Sequence, residues 1–341
     1  MKMKVFFILL LSFMVLISGC GKNLTANGKK EAINHPVELK LGTKMPDESV
    51  EGKAFNLFAD LVKEKSNGDI VVDVYAAELL GKGKTQIDNM LMGTQDMYVE
   101  GATYFDDFDS RVQASSIPFL FRDFEHFQHY NTGELGLEIH DQMISKGVRF
   151  LNTERNFVRG PYRVLLSKKP IKSVEDLKGL KIRSFESEFY SQAYESVGAN
   201  PTVVAWTETY LAMKQNLVDA VTSPISLVWS MKFTEVTPYM TIIDEYPQDI
   251  VIAISEDKFS ELSKEHQDLL IEAANEAGVE AVKLLEKEVE EHLKLMKEEH
   301  GIEIFEIDRE EWMEAFSDFH EQVEESGVFP KGYLEKIKMI E

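Results

Sequence analysis

Twice along this chain a strand-like run is followed by a helical pattern, a second strand, a second helix and a third strand. The first occurrence opens with residues 37–42 (VELKLG), which alternate like a half-buried strand. Residues 52–66 place Phe55, Phe58, Ala59 and Val62 on one helical face and stop at Asn67-Gly68. A strand at 70–75 (IVVDVY), a helix over about 84–92 stopped by Gly93, and a strand at 96–100 (DMYVE) complete the unit. The second occurrence runs from strand 180–184 (LKIRS) through helix 187–197, ended by Gly198, to strand 202–206 (TVVAW). A helix capped by Thr207 and reaching about Asn216 then leads to strand 218–222 (VDAVT), ended by Ser223-Pro224. Alternation of this kind specifies a largely parallel sheet covered by helices. Two such units predict two α/β domains.

Between the units, residues 149–167 contain extended runs (RFLNT and YRVLLS) suited to crossing from one domain to the other. A further strand is expected near 249–254 (DIVIAI). Helical spacing then persists from a Ser263 cap to Gly301, through Leu269, Leu270, Ala273, Ala277, Ala281, Leu284 and Leu285. A helix of ~37 residues is about 55 Å long at 1.5 Å per residue. That exceeds one small domain, so the helix is expected to run across both or to kink at their join, at Gly278. A last helix is expected over about 309–325.

The first residues follow different rules. Lys2 and Lys4 precede an apolar run from Val5 to Ile17, broken only by Ser12, and then Ser18-Gly19-Cys20. The run is too short to span a bilayer and has the basic front and small-residue end of an export signal. Leu16-Ile17-Ser18-Gly19-Cys20 resembles a bacterial lipobox, which makes Cys20 the lipidated first residue of the mature chain. Cys20 is the only cysteine in the sequence, so no internal disulfide and no cysteine metal site is expected. Residues 21–35 are polar and aperiodic, as a tether is. The expected division is 1–19 signal peptide, 20–35 lipidated tether, 36–160 with about 249–288 as the first domain, and 161–248 with about 289–341 as the second. The chain is thus expected to be exported and lipid-anchored on the outer face of the cytoplasmic membrane, or periplasmic.

Charge narrows the function. The leader holds two lysines and no acid, so the segment from Cys20 carries 35 basic against 59 acidic residues, a net of −24. Nucleic-acid binding, which needs a basic surface, is not expected. Against this background a guanidinium at the end of a buried strand stands out. Ligands in open α/β sheets bind at the carboxyl ends of strands. In the second unit Arg183, Trp206 and Ser223 fall at or just after three successive predicted strand ends, and Glu186 opens the loop after the first. A guanidinium fork binds a carboxylate bidentately, a tryptophan supplies an apolar wall, and serine and glutamate bond hydroxyls. Spacing alone leaves an alternative open, in which Arg183 pairs with an internal acid and Trp206 is core.

The stretch from Gly160 to Pro224 resembles the solute receptors of tripartite ATP-independent periplasmic (TRAP) transporters, the DctP type. The similarity is carried by Gly160-Pro161-Tyr162-Arg163 and by Lys169-Pro170-Ile171, followed by Leu177-Lys178-Gly179-Leu180-Lys181-Ile182-Arg183. It continues through Val197-Gly198-Ala199-Asn200-Pro201, Trp206-Thr207-Glu208-Thr209-Tyr210, Val218-Asp219-Ala220 and Pro224. Leu80-Gly81, Gly93 and Asp96 extend it into the first unit. The resemblance implies a two-domain periplasmic-binding-protein-like α/β fold, with hinge strands and a long helix spanning both domains, that closes on a small organic acid. It implies that Arg183 clamps the solute carboxylate, that Arg163 lies near the same carboxylate, and that Trp206 is the aromatic wall. Many relatives have asparagine where this chain has Ser223, so that contact is expected to be altered. It also implies membrane permease subunits as partners, a monomeric receptor and no enzyme activity; no cofactor is expected.

Glu186 and Glu100 fall at predicted strand or loop positions facing the cleft. Acids there suit hydroxyls and repel a second carboxylate, which favours a sugar acid such as a hexuronate or aldonate. A C4-dicarboxylate, a keto or hydroxy acid, and a sensory rather than transport role are the alternatives. Other signals carry less. Ser255-Glu256-Asp257-Lys258 fits S-x-x-K without companion motifs. His126 and His129 lack a third metal ligand. Asp106, Asp107 and Asp109 lack the glycine and closing glutamate of a calcium loop.

Overall fold

The computed structural model describes residues 36–341. The leader, Cys20 and the tether lie outside the described residues. Among the described residues eleven strands form two sheets: β1 (Val37–Gly42), β2 (Ile70–Tyr75), β3 (Met97–Glu100), β4 (Val148–Phe150), β5 (Arg163–Ser167), β6 (Lys181–Ser184), β7 (Asn200–Val203), β8 (Ala220–Pro224), β9 (Tyr239–Ile242), β10 (Val251–Ser255) and β11 (Glu303–Glu306). The first sheet has the order β2-β1-β3-β10-β4 and the second β11-β9-β5-β8-β6-β7. Both β-α-β-α-β units are present, and their strands pair in parallel.

The sheets are more mixed than the alternation predicts. β10 runs antiparallel between β3 and β4, and β5 runs antiparallel between β8 and β9. These are the strands that follow an extended, helix-free crossing from the other sheet. A strand entering from outside has no βαβ crossover to impose direction. Each has an apolar centre (VLL in β5, VIAI in β10) and no exposed residue, as an interior strand should. Alternate residues of β5 and β10 feed opposite faces: Leu165 and Ala253 enter one core, while Val164, Leu166, Ile252 and Ile254 enter the other. Both sheets are therefore covered on both sides.

The long helix spans Lys264–His300 without interruption. Its Ser263 cap accepts from the His266 N–H, and Gly301 ends it in the left-handed conformation. It packs against helix Val50–Lys65 beside the first sheet and against segments 225–228 and 233–235 beside the second. Gly278 does not break it. A Cβ at that position would lie 2.2 Å from Asn156 Oδ1 and 3.2 Å from the Phe157 N–H, so the helix rests on the chain crossing between sheets. Asn156 also donates to the Asn275 carbonyl at 2.9 Å. Gly278→Leu should therefore displace Asn156 and cost about 1–3 kcal/mol, read as a lower urea midpoint.

The chain passes between the sheets three times, through extended crossings between β4 and β5 and between β9 and β10 and through the long helix between β10 and β11; the two extended crossings lie side by side. They are tied to each other by a bridge between Val158 and Asp249. The expected helix over 309–325 is two, Arg309–Ala315 and Ser317–Glu325. Helix Phe124–Thr132 carries His126 and His129 at helical spacing, and Glu134–Ser145 and Tyr333–Lys338 are further helices that the sequence pattern does not single out.

Candidate solute-binding cavity

Where the two sheets face one another, a narrow cavity is walled by residues of both. Lys44, Met45, Tyr104 and Arg159 come from the side of the first sheet, and Arg163, Arg183, Phe185, Trp206, Thr222, Pro224 and Tyr246 from the side of the second. The space among them is about 360 Å³, part of it open to solvent.

Arg183 sits near the end of β6, between β7 and β8, and is buried. Its Nε donates to the Val204 carbonyl at 3.0 Å. Its guanidinium lies 5.3 Å from the Trp206 ring centre and 6.0 Å from that of Phe185. Among the described residues its two terminal nitrogens have no carboxylate and no hydrogen-bond acceptor. Burial accordingly pulls its pKa below the ordinary arginine value, the direction expected of a cation without a counter-ion. The Trp206 indole N–H beside it is also buried without an acceptor. Two adjacent donors with nothing to receive them are costly in a folded interior.

The other cations of the cavity are matched. Arg159 forks onto Glu51 at 2.9 and 2.8 Å and reaches Glu100 at 2.6 Å. Lys44 pairs with the second Glu100 oxygen at 2.9 Å and donates to the Tyr104 hydroxyl at 2.8 Å. Burial opposes ionisation of Glu100, but Arg159, Lys44 and the Gly101 N–H overcome it and hold the carboxyl at about 2. Burial pushes the Glu51 carboxyl upward, with Arg159 opposing. Arg163 donates to Glu245 at 3.0 Å, Gln248 at 2.9 Å and Thr222 at 3.0 Å, over the Tyr246 ring. Tyr194 donates to the far oxygen of Glu245.

The depressed Glu100 value fixes the sign of an acid effect. Its stabilisation is complete above the unfolded carboxyl value of 4.5 and is lost as pH falls towards about 2. Glu100→Gln should be less stable than wild type by on the order of 3 kcal/mol at neutral pH. That deficit should shrink between about pH 4.5 and 2 in unfolding curves taken at stepped pH.

Of the six expected side chains, the structure brings Arg183, Arg163 and Trp206 to the cavity wall. Trp206 arrives by a different route from the one expected. β7 ends at Val203, and Trp206 opens a short 3₁₀ turn. β7 is an edge strand, which tolerates Pro201, and this moves the strand two residues towards the N-terminus. Ser223 requires correction. β8 runs on to Pro224, so strand parity turns Thr222 towards the cavity and Ser223 away, where its hydroxyl donates to the Pro224 carbonyl at 2.9 Å. Glu100 is corrected too: it is fully buried behind the wall and engaged by Arg159 and Lys44. Glu186 is exposed and lines the mouth with Glu78, Lys82 and Gly83.

Across that mouth the Thr207 hydroxyl donates to Glu78 at 2.6 Å, Lys82 pairs with Glu208, and Tyr104 stacks on Phe185 with ring centres 6.1 Å apart. Lys44, two residues beyond β1, was within reach of the strand-end rule that located Arg183. Tyr246, Gln248 and Glu245 lie in an irregular crossing segment with no periodic signal.

A doubly covered pair of α/β sheets facing each other over a cavity with an unmatched cation defines a binding protein for small anions. The family model for bacterial extracellular solute-binding protein, family 7 (DctP) matches residues 41–326. The chain belongs to this family, the solute receptors of TRAP transporters. It is 31% identical over 281 residues to the 2,3-diketo-L-gulonate-binding periplasmic protein YiaO of Escherichia coli, covering 82% of this chain and 83% of that one. It is 24% identical over 298 residues to the C4-dicarboxylate-binding periplasmic protein DctP of Rhodobacter capsulatus, covering 86% and 88%. A TRAP periplasmic solute-binding protein from Roseobacter denitrificans, solved with bound L-galactonate, superposes with a TM-score of 0.80 at 26% identity, over 89% of this chain and 99% of the other. Among the described residues no helix is long and apolar enough to cross a membrane.

Proposed function

We propose that this receptor binds a small hydroxylated carboxylate, of the hexuronate or aldonate type, with the carboxylate forked onto Arg183. The observation that carries the reading is the buried guanidinium with two free terminal nitrogens. Charge-assisted bonds to a carboxylate contribute roughly 1.5–3 kcal/mol each, and exclusion of water strengthens them. Trp206 supplies an apolar wall and an indole N–H, and Arg163 and Lys44 keep donors free for hydroxyls. The two sheets with their helices act as two lobes hinged at the crossings, with divisions near residues 160, 249 and 288. A solute touching both lobes favours the shut arrangement by its differential affinity. Delivery to membrane permease subunits, a lipid anchor on Cys20 and a monomeric state complete the proposal. The diketogulonate- and galactonate-binding relatives support the sugar-acid class, and the dicarboxylate-binding relative supplies the competing one.

A thermal-unfolding screen of uronates, aldonates, C4-dicarboxylates and keto acids tests this. A true solute at a thousand times its Kd adds about 4 kcal/mol. In a chain of this size that raises Tm by on the order of 10 °C. The corresponding uronamide, which has no charge, should leave Tm unchanged. A panel in which no carboxylate moves Tm removes the reading.

A further inference from the structure

The cavity wall and the side chains directly behind it hold four cations and three anions. Lys44, Arg159, Arg163, Arg183, Glu51, Glu100 and Glu245 are each at most 6% exposed. Lys44 and Arg159 are matched by Glu100 and Glu51, and Arg163 by Glu245. Arg183 is left over. Asp249, next along the crossing, is taken up by Arg155, which leaves the count unchanged. Tyr104 and Tyr246 line the same space, Tyr190 and Tyr194 reach Glu245 behind it, and none adds charge. At the mouth, Glu78, Glu186 and Glu208 outnumber Lys82.

We infer that this cavity is built for a solute carrying a single negative charge, and that Glu51, Glu100 and Glu245 set the limit by neutralising three of its four cations. The inference rests on the reading that Arg183 receives a carboxylate, and adds the valence of the solute. A monoanion brings the buried count to zero. A dianion leaves one carboxylate in a closed interior with no counter-charge, a burial that proteins avoid by protonating the group or excluding it. The acidic mouth acts in the same sense, since repulsion there grows with the charge of the entering solute.

Pairs of solutes with one carbon skeleton isolate this effect. Galactonate and galactarate differ only in a terminal hydroxymethyl made carboxylate, as do erythronate and meso-tartrate. Titration calorimetry at pH 7.5 on the intact receptor should show each aldonate binding at least about 100-fold tighter than its aldarate. Any aldarate binding should be accompanied by uptake of one proton, read from the dependence of the heat on buffer ionisation enthalpy. Glu245→Gln and, separately, Glu51→Gln raise the surplus to two, and each should narrow or reverse the preference. The two sites lie on opposite sides of the cavity and share no partner, so one informative variant suffices. An aldarate that binds wild type as tightly as its aldonate, without proton uptake and with Arg183 still required, overturns the charge limit and leaves the Arg183 reading standing. Binding of either class that survives loss of Arg183 overturns both.

Discussion

Arg183→Met should abolish solute binding and leave the solute-free protein more stable than wild type. The two effects have one cause. Among the described residues no carboxylate offsets the desolvation cost of the buried guanidinium, and burial already pulls its pKa down. Replacing poorly compensated buried charge by an apolar side chain of similar volume is commonly neutral or stabilising, by about 1–4 kcal/mol. Loss of a forked pair of charge-assisted bonds should weaken binding by roughly 10²–10⁴-fold. Arg183→Lys keeps the charge but not the fork, and should fall between the two. Calorimetry and urea unfolding of the solute-free variants check both halves. A variant that binds normally and unfolds more easily would make Arg183 a structural cation.

Arg159→Met should do the opposite. Arg159 lies only a short way around the same cavity, but it is held by both Glu51 and Glu100. Its removal strands two buried carboxylates, with only Lys44 left beside one of them. The expected loss is about 3–5 kcal/mol of stability. Both carboxyl pKa values should rise in the variant, so its deficit should diminish as pH is lowered through the carboxylate range. Adding Glu51→Gln should restore part of the loss, because the pair is coupled and its effects do not add. Unfolding curves of the single and double variants at two pH values decide the matter. Two buried arginines in one cavity are thus separated by sign, according to whether the chain itself supplies the counter-ion.

Much of this was legible in the sequence. Strand and helix periods placed both β-α-β-α-β units, and the long helix was bounded by Ser263 and Gly301, residues with direct physical roles at helix ends. Arg183 could be found because a cation at the end of an apolar strand is anomalous by itself. Ser223 and Glu100 were misplaced for a more general reason. Ending the strand at 222 leaves Ser223 in a loop, free to face the solute, whereas β8 runs on to Pro224 and alternation turns Thr222 inward and Ser223 away. A buried glutamate at a strand end reads the same whether it meets a solute or a neighbouring arginine. The antiparallel entry of β5 and β10 and the contributions of Glu245, Tyr246 and Gln248 depend on chain crossings, which leave no local period.

The lack of an internal counter-ion for Arg183 also has a consequence at the bench. A cavity tuned to a monoanion should retain one from a cell extract, and the purified protein should carry a passenger acquired from its host or from an acetate buffer. Apparent melting points would then report the buffer's history as much as the polypeptide. Unfolding in denaturant, washing and refolding should lower the melting temperature and release an identifiable acid into the wash, so that the first cargo is read from the supernatant by mass spectrometry.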